Sequence, residues 1–146
     1  LELNPPQYLL GIDYGASRTG LAIGNTLLKI AHPLDTICNK DDSLKINKIK
    51  EIVQQWRVSK IVLGIPTSQQ DSRTNQLIVR KIESFAKNLK EALNFEIIMV
   101  NEDFSSFEAS QMLYEQDISG YKQKKFIDSM AACVILQQYF NESILK

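Results

Sequence analysis

The apolar stretch from Tyr8 to Tyr14 closes on an acid, Asp13, and Gly15, Gly20 and Gly24 punctuate the residues that follow. That pattern predicts two strands joined by a tight turn, with a carboxylate at the end of the first. Leu34 to Cys38 can add a third strand. A charged carboxylate ending an apolar strand is costly unless it is paired or bound to a cation. The plainer alternative is a turn aspartate bonding the backbone of the next loop.

Beyond the polar stretch Asn39 to Ser43 the period changes. Ile46, Ile49, Val53 and Trp56 recur at helical spacing, with Asp42 or Ser43 available as N-cap. Lys60 to Gly64 reads as a buried strand and Pro66 to Thr74 as a polar loop, followed by a helix with Ile78, Ile82, Phe85 and Leu89 on one face. The apolar strand Phe95 to Val100 leads into Asn101-Glu102-Asp103, and Ser105 with Glu108 forms a capping box for a helix just after those acids. Gly120 breaks the chain again, and Lys124 to Phe140 is strong helix-forming sequence. The order ββ(β)αβαβαα predicts one mixed α/β domain over residues 1–146, a hairpin first and strand–helix alternation afterwards.

Seventeen basic and seventeen acidic residues cancel, so the molecule as a whole has no strong field to gather a polyanion, and any affinity for nucleic acid must be local. Cys38 and Cys133 have no Cys or His at metal-ligand spacing and read as reduced core thiols. No apolar run approaches the roughly 18 residues of a membrane span. Leu1 to Leu10 lacks the charged start and cleavage pattern of a secretory signal. A cytosolic protein without a membrane partner is expected.

Three acids stand out. Asp13 ends the first strand, and Glu102 follows a later one, where open α/β sheets place ligands, although an acid near a helix N-terminus is also favoured by the dipole. Asp128 interrupts an apolar helix face completed by Ala131, Ala132 and Ile135. An aspartate there needs a partner, and Lys124 or Lys125, at i−4 and i−3, is the ordinary choice. A compact α/β fold can gather these three ends. Clustered carboxylates repel one another, and a divalent cation with hard oxygen ligands, magnesium or manganese, is the simplest remedy.

Gly11-Ile-Asp13-Tyr-Gly15-Ala-Ser-Arg18-Thr-Gly20-Leu-Ala22 resembles the opening motif of the YqgF/RuvX family. The likeness continues through Ala31-His-Pro33-Leu34-Asp-Thr36-Ile37, Val62-Leu-Gly64-Ile-Pro66, Glu102 with Ser105-Ser106 and Ala109, and Lys125-Phe-Ile-Asp128-Ser-Met-Ala131-Ala132 to Leu136-Gln137 and Tyr139. Five ordered blocks from about Leu10 to Tyr139 are far more specific than a lone glycine motif. The resemblance implies an RNase H-like fold, a mixed sheet with an initial antiparallel hairpin and flanking helices. It implies a nuclease acting on Holliday junctions or on the 5′ end of precursor 16S ribosomal RNA. It departs at two places: Asn101-Glu102-Asp103 stands where the family usually has Asp-Glu-Arg, and Asp71-Ser72 where it usually has Asp-Gly.

Carried over by position, the resemblance makes Asp13, Glu102 and Asp128 the metal-binding and catalytic acids, with Arg18 facing the substrate phosphate. The implied chemistry is phosphodiester hydrolysis by a water activated between two magnesium ions, with Asp13 bridging them. Arg73 and the cluster Lys122, Lys124 and Lys125 would supply further phosphate contacts, against the alternative of a solvated helix start. The expected partner is ribosomal RNA precursor or branched DNA, and symmetric junction cleavage would call for a homodimer. Two rivals remain at this level: a phosphate-hairpin ATPase, which needs a second domain, and a non-catalytic nucleic-acid-binding member of the fold.

Overall fold

The computed structural model describes residues 5–66, 73–102 and 120–144, with the backbone alone at 73–75, 120–124 and 143–144. In chain order the elements are β1 (Tyr8–Asp13), β2 (Arg18–Asn25), β3 (Ala31–Cys38), α1 (Asp42–Trp56), β4 (Val58–Pro66), α2 (Arg73–Leu93), β5 (Ile97–Glu102) and α3 (Gly120–Ile144). The strands form one sheet in the order β3-β2-β1-β4-β5. β1–β2 and β2–β3 are antiparallel, while β1–β4 and β4–β5 are parallel. This mixed sheet with a leading hairpin is the mixed α/β order that the sequence pattern predicts and the RNase H-like arrangement that the family resemblance implies.

Side chains alternate across a strand, and here the alternation sorts two different surfaces. Leu10, Ile12, Leu21, Ile23, Ile61 and Leu63 pack with the apolar faces of α1 and α2. Leu9, Ala22, Val62 and Val100 lie on the opposite face with Ala132, Ile135, Leu136 and Phe140 of α3. Fully burying each of the large side chains contributes about 1.5–3 kcal/mol, so α3 is held firmly.

What lets α3 lie so close is the run of glycines on that face. A Cβ at Gly11 would come within 2.8 Å of the Leu136 Cβ and 2.9 Å of the Ala132 carbonyl oxygen, and one at Gly20 would overlap the Asp128 carbonyl. Polar ties then set the helix in register. The Thr36 hydroxyl donates to the Lys125 carbonyl at 2.6 Å, and Gln137 accepts from the Ala31 N–H and donates to the Lys29 carbonyl, both at 2.9 Å.

Several boundaries differ from expectation. β3 starts at Ala31 and passes Leu34 with a bulge, since Leu21 pairs with Asp35 and Ala22 with Pro33. Asp41, rather than Asp42 or Ser43, caps α1, its carboxylate accepting from the Ser43 N–H. β4 reaches from Val58 to Pro66 because Arg57 adopts φ 53° and turns the chain straight out of α1. Of the polar loop expected from Pro66 to Thr74, its first residue belongs to β4 and Arg73 and Thr74 to α2, and 67–72, including Asp71-Ser72, lie outside the described residues. Gly120 begins α3 instead of breaking the chain before it. Ile78 is exposed while Ile82, Phe85 and Leu89 are buried. Cys38 is exposed, which removes it from the core; Cys133 is half-buried and its thiol donates to the Ala31 carbonyl. The helix expected after Ser105, along with Asp103, lies outside the described residues.

Candidate active site

Parallel pairing of β1, β4 and β5 brings their C-terminal ends to one edge of the sheet, on the side covered by α3. Asp13 shares the face of Leu9 and Gly11, and Glu102 shares that of Ile98 and Val100. β4 runs between them, with Leu63 level with Ile12 and Gly64 level with Val100. A Cβ at Gly64 would sit 3.1 Å from the Glu102 Oε2 and would overlap the end of Ile135. The missing side chain at Gly64 is therefore the opening through which Glu102 leans across β4 toward β1.

α3 supplies the third acid from above. Its contact with Gly20 is made by the Asp128 backbone itself, so the helix is closest to the sheet at the residue that carries the carboxylate. The partner of that carboxylate is Arg18, whose Nε donates to the Asp128 Oδ2 at 2.7 Å. The sequence offers an i−4 or i−3 lysine as the ordinary alternative; Arg18 begins β2 on the face of Gly20, directly beneath the helix, and reaches Asp128 without leaving the site. The Arg18 side chain remains 41% exposed, and a guanidinium has five donors, so it can hold Asp128 and present others to solvent.

The electrostatics are those of anions crowded together. Burial, then the charge of Glu102, then that of Asp128 drive the Asp13 carboxyl well above the usual aspartate range. Burial also raises Asp128, opposed by the hydrogen bond and charge of Arg18. Among the described residues no three acidic, His or Cys side chains are placed to close on a single ion. The fit lies in the donor set, carboxylates on one sheet end whose mutual repulsion a divalent cation would relieve. Completing such a shell requires Asp128 to exchange Arg18 for the cation.

The other expected contacts fall differently. Arg73 is the first residue of α2, and Lys122 and Lys124 lie in the first turns of α3, with their side chains outside the described residues. Lys125 lines a cleft of about 280 Å³ between β3 and α3, with Pro33, Leu34, Asp35, Thr36, Phe126 and Ser129. Sequence reasoning missed Lys45, which is fully buried on α1. Its position four residues before Ile49 was the available signal, because i and i+4 share a helix face.

A sheet ordered β3-β2-β1-β4-β5 with acids at the ends of β1 and β5 and a third on the covering helix defines the RNase H-like class that includes the RuvC-type resolvases. Solved structures agree with that fold: Thermus thermophilus RuvC in complex with Holliday junction substrate matches with TM-score 0.59 at 10% identity, covering 94% of this chain and 96% of that one. The fowlpox virus resolvase with Holliday junction DNA matches with TM-score 0.54 at 16% identity, covering 96% of this chain and all of that one, 100%. The family model RuvX, described as Holliday junction resolvase, matches residues 7–142, and the chain belongs to that family. A relative from Methylobacillus flagellatus, carrying the name "Putative pre-16S rRNA nuclease", is 40% identical over 91% of this chain and 90% of its own. One of the same name from Dictyoglomus turgidum is 36% identical over 91% of this chain and 93% of its own. These family and relative matches disfavour the phosphate-hairpin ATPase reading. No described helix is long and apolar enough to cross a membrane.

Proposed function

We propose that the chain is a nuclease that hydrolyses phosphodiester bonds in structured nucleic acid, with Asp13, Glu102 and Asp128 holding divalent cations, magnesium or manganese. The observation that carries this reading is the placement of Asp13 and Glu102 on one face at the C-terminal ends of β1 and β5, with Asp128 on the helix covering that face, a crowding that raises the Asp13 carboxyl. Bound there, such ions would activate water and offset the charge that develops on the phosphate oxygens. Asp13, at the end of β1, anchors that arrangement from a rigid strand. Released from Asp128 by the cation, Arg18 binds and orients the substrate phosphate, and Lys125, with Arg73, Lys122 and Lys124, extends the phosphate track.

Ribosomal RNA precursor is the favoured substrate, because relatives at 36–40% identity carry that substrate in their name. The family description keeps the four-way junction as a second reading, and that substrate would require two copies of the chain for symmetric cleavage. Processing of ribosomal RNA would place the protein in the cytoplasm. The test is incubation of purified protein with a precursor 16S fragment and with a four-way junction, in Mg²⁺, in Mn²⁺ and in EDTA. Cation-dependent cuts in either substrate, abolished by EDTA, are expected; cutting that persists in EDTA, or none in either substrate, overturns the reading.

Strand alternation also separates two adjacent candidates. Asn101 is exposed and its carbonyl accepts from the Gln138 side chain, whereas Glu102 faces Asp13. Glu102→Gln should therefore weaken Mg²⁺ binding about tenfold or more, as expected from losing one anionic ligand, while Asn101→Asp changes it little. Calorimetric titration of both variants decides this, and tightening by Asn101→Asp with Glu102→Gln silent would reverse the assignment.

A further inference from the structure

Lys45 on α1 has no exposed side-chain surface, and its ammonium meets an acceptor for each of its three donors. Nζ donates to the Gly15 carbonyl at 2.9 Å, the Ala16 carbonyl at 2.9 Å and the Asp42 carboxylate at 3.1 Å. The Tyr14 hydroxyl donates to both Asp42 oxygens, at 2.9 and 3.1 Å, while its ring centroid lies 4.5 Å from that of Phe85 on α2. The turn between β1 and β2 is thus tied to both helices on the sheet face opposite to Asp13. A buried lysine with an ion partner has no clear advantage in stability over an apolar side chain of similar volume, so stability alone does not account for one here.

What Lys45 holds is the backbone beside Arg18. The ladder between β1 and β2 ends where Asp13 pairs with Gly20. Arg18 and Thr19 lie beyond that last pair, held in the sheet by Cys38 and Ile37 of β3. On the side of β1 their neighbour is the turn residue Gly15. Its carbonyl accepts from the Thr19 hydroxyl at 3.1 Å as well as from Lys45, and its α carbon lies so near the Arg18 carbonyl that a Cβ would overlap the oxygen. Lys45, Gly15 and Thr19 therefore form a continuous tie from α1 to the start of β2. On the other face the Arg18 side chain reaches Asp128. A cation that takes Asp128 removes that anchor, and the backbone tie is left to hold Arg18 over the site.

We propose that Lys45 is a positioning residue for Arg18, setting through the Gly15 carbonyl and Thr19 where the guanidinium stands beside the acids. That Arg18 meets a substrate phosphate rests on the nuclease reading; its placement by Lys45 does not. Removing the ammonium strands little, because Asp42 keeps the Tyr14 hydroxyl, the Gly15 carbonyl keeps Thr19, and Ala16 is exposed to water. Lys45→Met should therefore fold. The experiment follows the Arg18 Nε–H by NMR in the metal-free protein, where it is bonded to Asp128, and identifies its signal by loss in Arg18→Gln.

In Lys45→Met this proton should exchange with water about tenfold faster, the scale set by one lost charge-assisted hydrogen bond. Thr19→Val keeps the shape of its side chain and removes the other donor to Gly15, so it should act in the same direction, and it decides the matter if Lys45→Met does not fold. Cleavage of precursor RNA in Mg²⁺ completes a double-mutant cycle. Lys45→Met should lower turnover about tenfold in the wild-type background and leave it unchanged in Arg18→Gln, as for two residues acting as one unit. Unchanged exchange in both variants, with only a lower melting temperature, makes Lys45 a purely structural residue and overturns the proposal. Equal losses of turnover in both backgrounds overturn it too. Faster exchange in a protein that cleaves neither RNA nor junction supports the placement of Arg18 by Lys45 and counts against the nuclease reading.

Discussion

Asp13→Asn is expected to abolish cleavage, by about 10³-fold or more, a loss typical of removing a charged group from the reacting centre. The same variant should be more stable than the wild type in the absence of divalent cations. The Asp13 carboxyl is raised in the folded protein by burial, Glu102 and Asp128, so between its unfolded and folded pKa the native state holds a proton that the unfolded chain has lost. Stability then falls as pH rises through that window, and above it the ionised group opposes folding. Asparagine keeps the shape and removes the charge. Thermal unfolding in EDTA should show a melting temperature higher by several degrees, about 2–4 °C for each kcal/mol relieved, and a weaker decline as pH rises above the ordinary aspartate range. In Mg²⁺ the order should reverse, because only the wild type gains from the cation. A metal-free melting temperature below that of the wild type would show that Asp13 is held by partners rather than strained by neighbours, and normal turnover would remove it from the chemistry.

The periodic features of the fold were legible in the sequence because they depend on local alternation. The strand around Leu9 to Asp13, the helix faces through Ile49 and Val53 and through Ala131 to Ile135, and the three acids all follow from periods of 2 and 3.6 residues. Element ends were less legible. Arg57 in the left-handed region and the bulge at Leu34 depend on the neighbours that hold them, and neither leaves a local mark. The partner of Asp128 illustrates the same limit: lysines at i−4 and i−3 satisfy the helical rule, but Arg18, 110 positions away in the chain, lies directly beneath because β2 carries it there. Gly64 reads as a strand glycine, and its service as the gap for Glu102 becomes visible only once β4 is seated between β1 and β5.

Gly20→Ala should be the most damaging change outside the acids. The added methyl would overlap the Asp128 carbonyl and its carbon and come within 2.9 Å of the Ser129 nitrogen. All three are backbone atoms in the middle of a helix, so no side-chain rotation can make room. α3 has to lift from β2 at this point, while Ala132, Ile135, Leu136 and Phe140 hold it to the sheet further along. Overpacking of this kind costs about 3 kcal/mol, at the upper end for an inserted methyl, or roughly 10 °C in melting temperature. Ala22 supplies the internal control. It lies two residues along on the same face and already carries a methyl under α3, so Ala22→Gly should lose only about 1 kcal/mol from the methyl and from chain entropy. Cleavage should separate the two effects, since lifting the helix moves the Asp128 carboxylate and disturbs its 2.7 Å bond to Arg18. At a temperature where Gly20→Ala is still folded, its Mg²⁺ affinity and cleavage rate should both drop, whereas Ala22→Gly keeps both. Equal melting temperatures for Gly20→Ala and wild type would mean that α3 does not rest on Gly20. Lost stability with full activity would mean that the height of the helix above β2 does not set the position of Asp128.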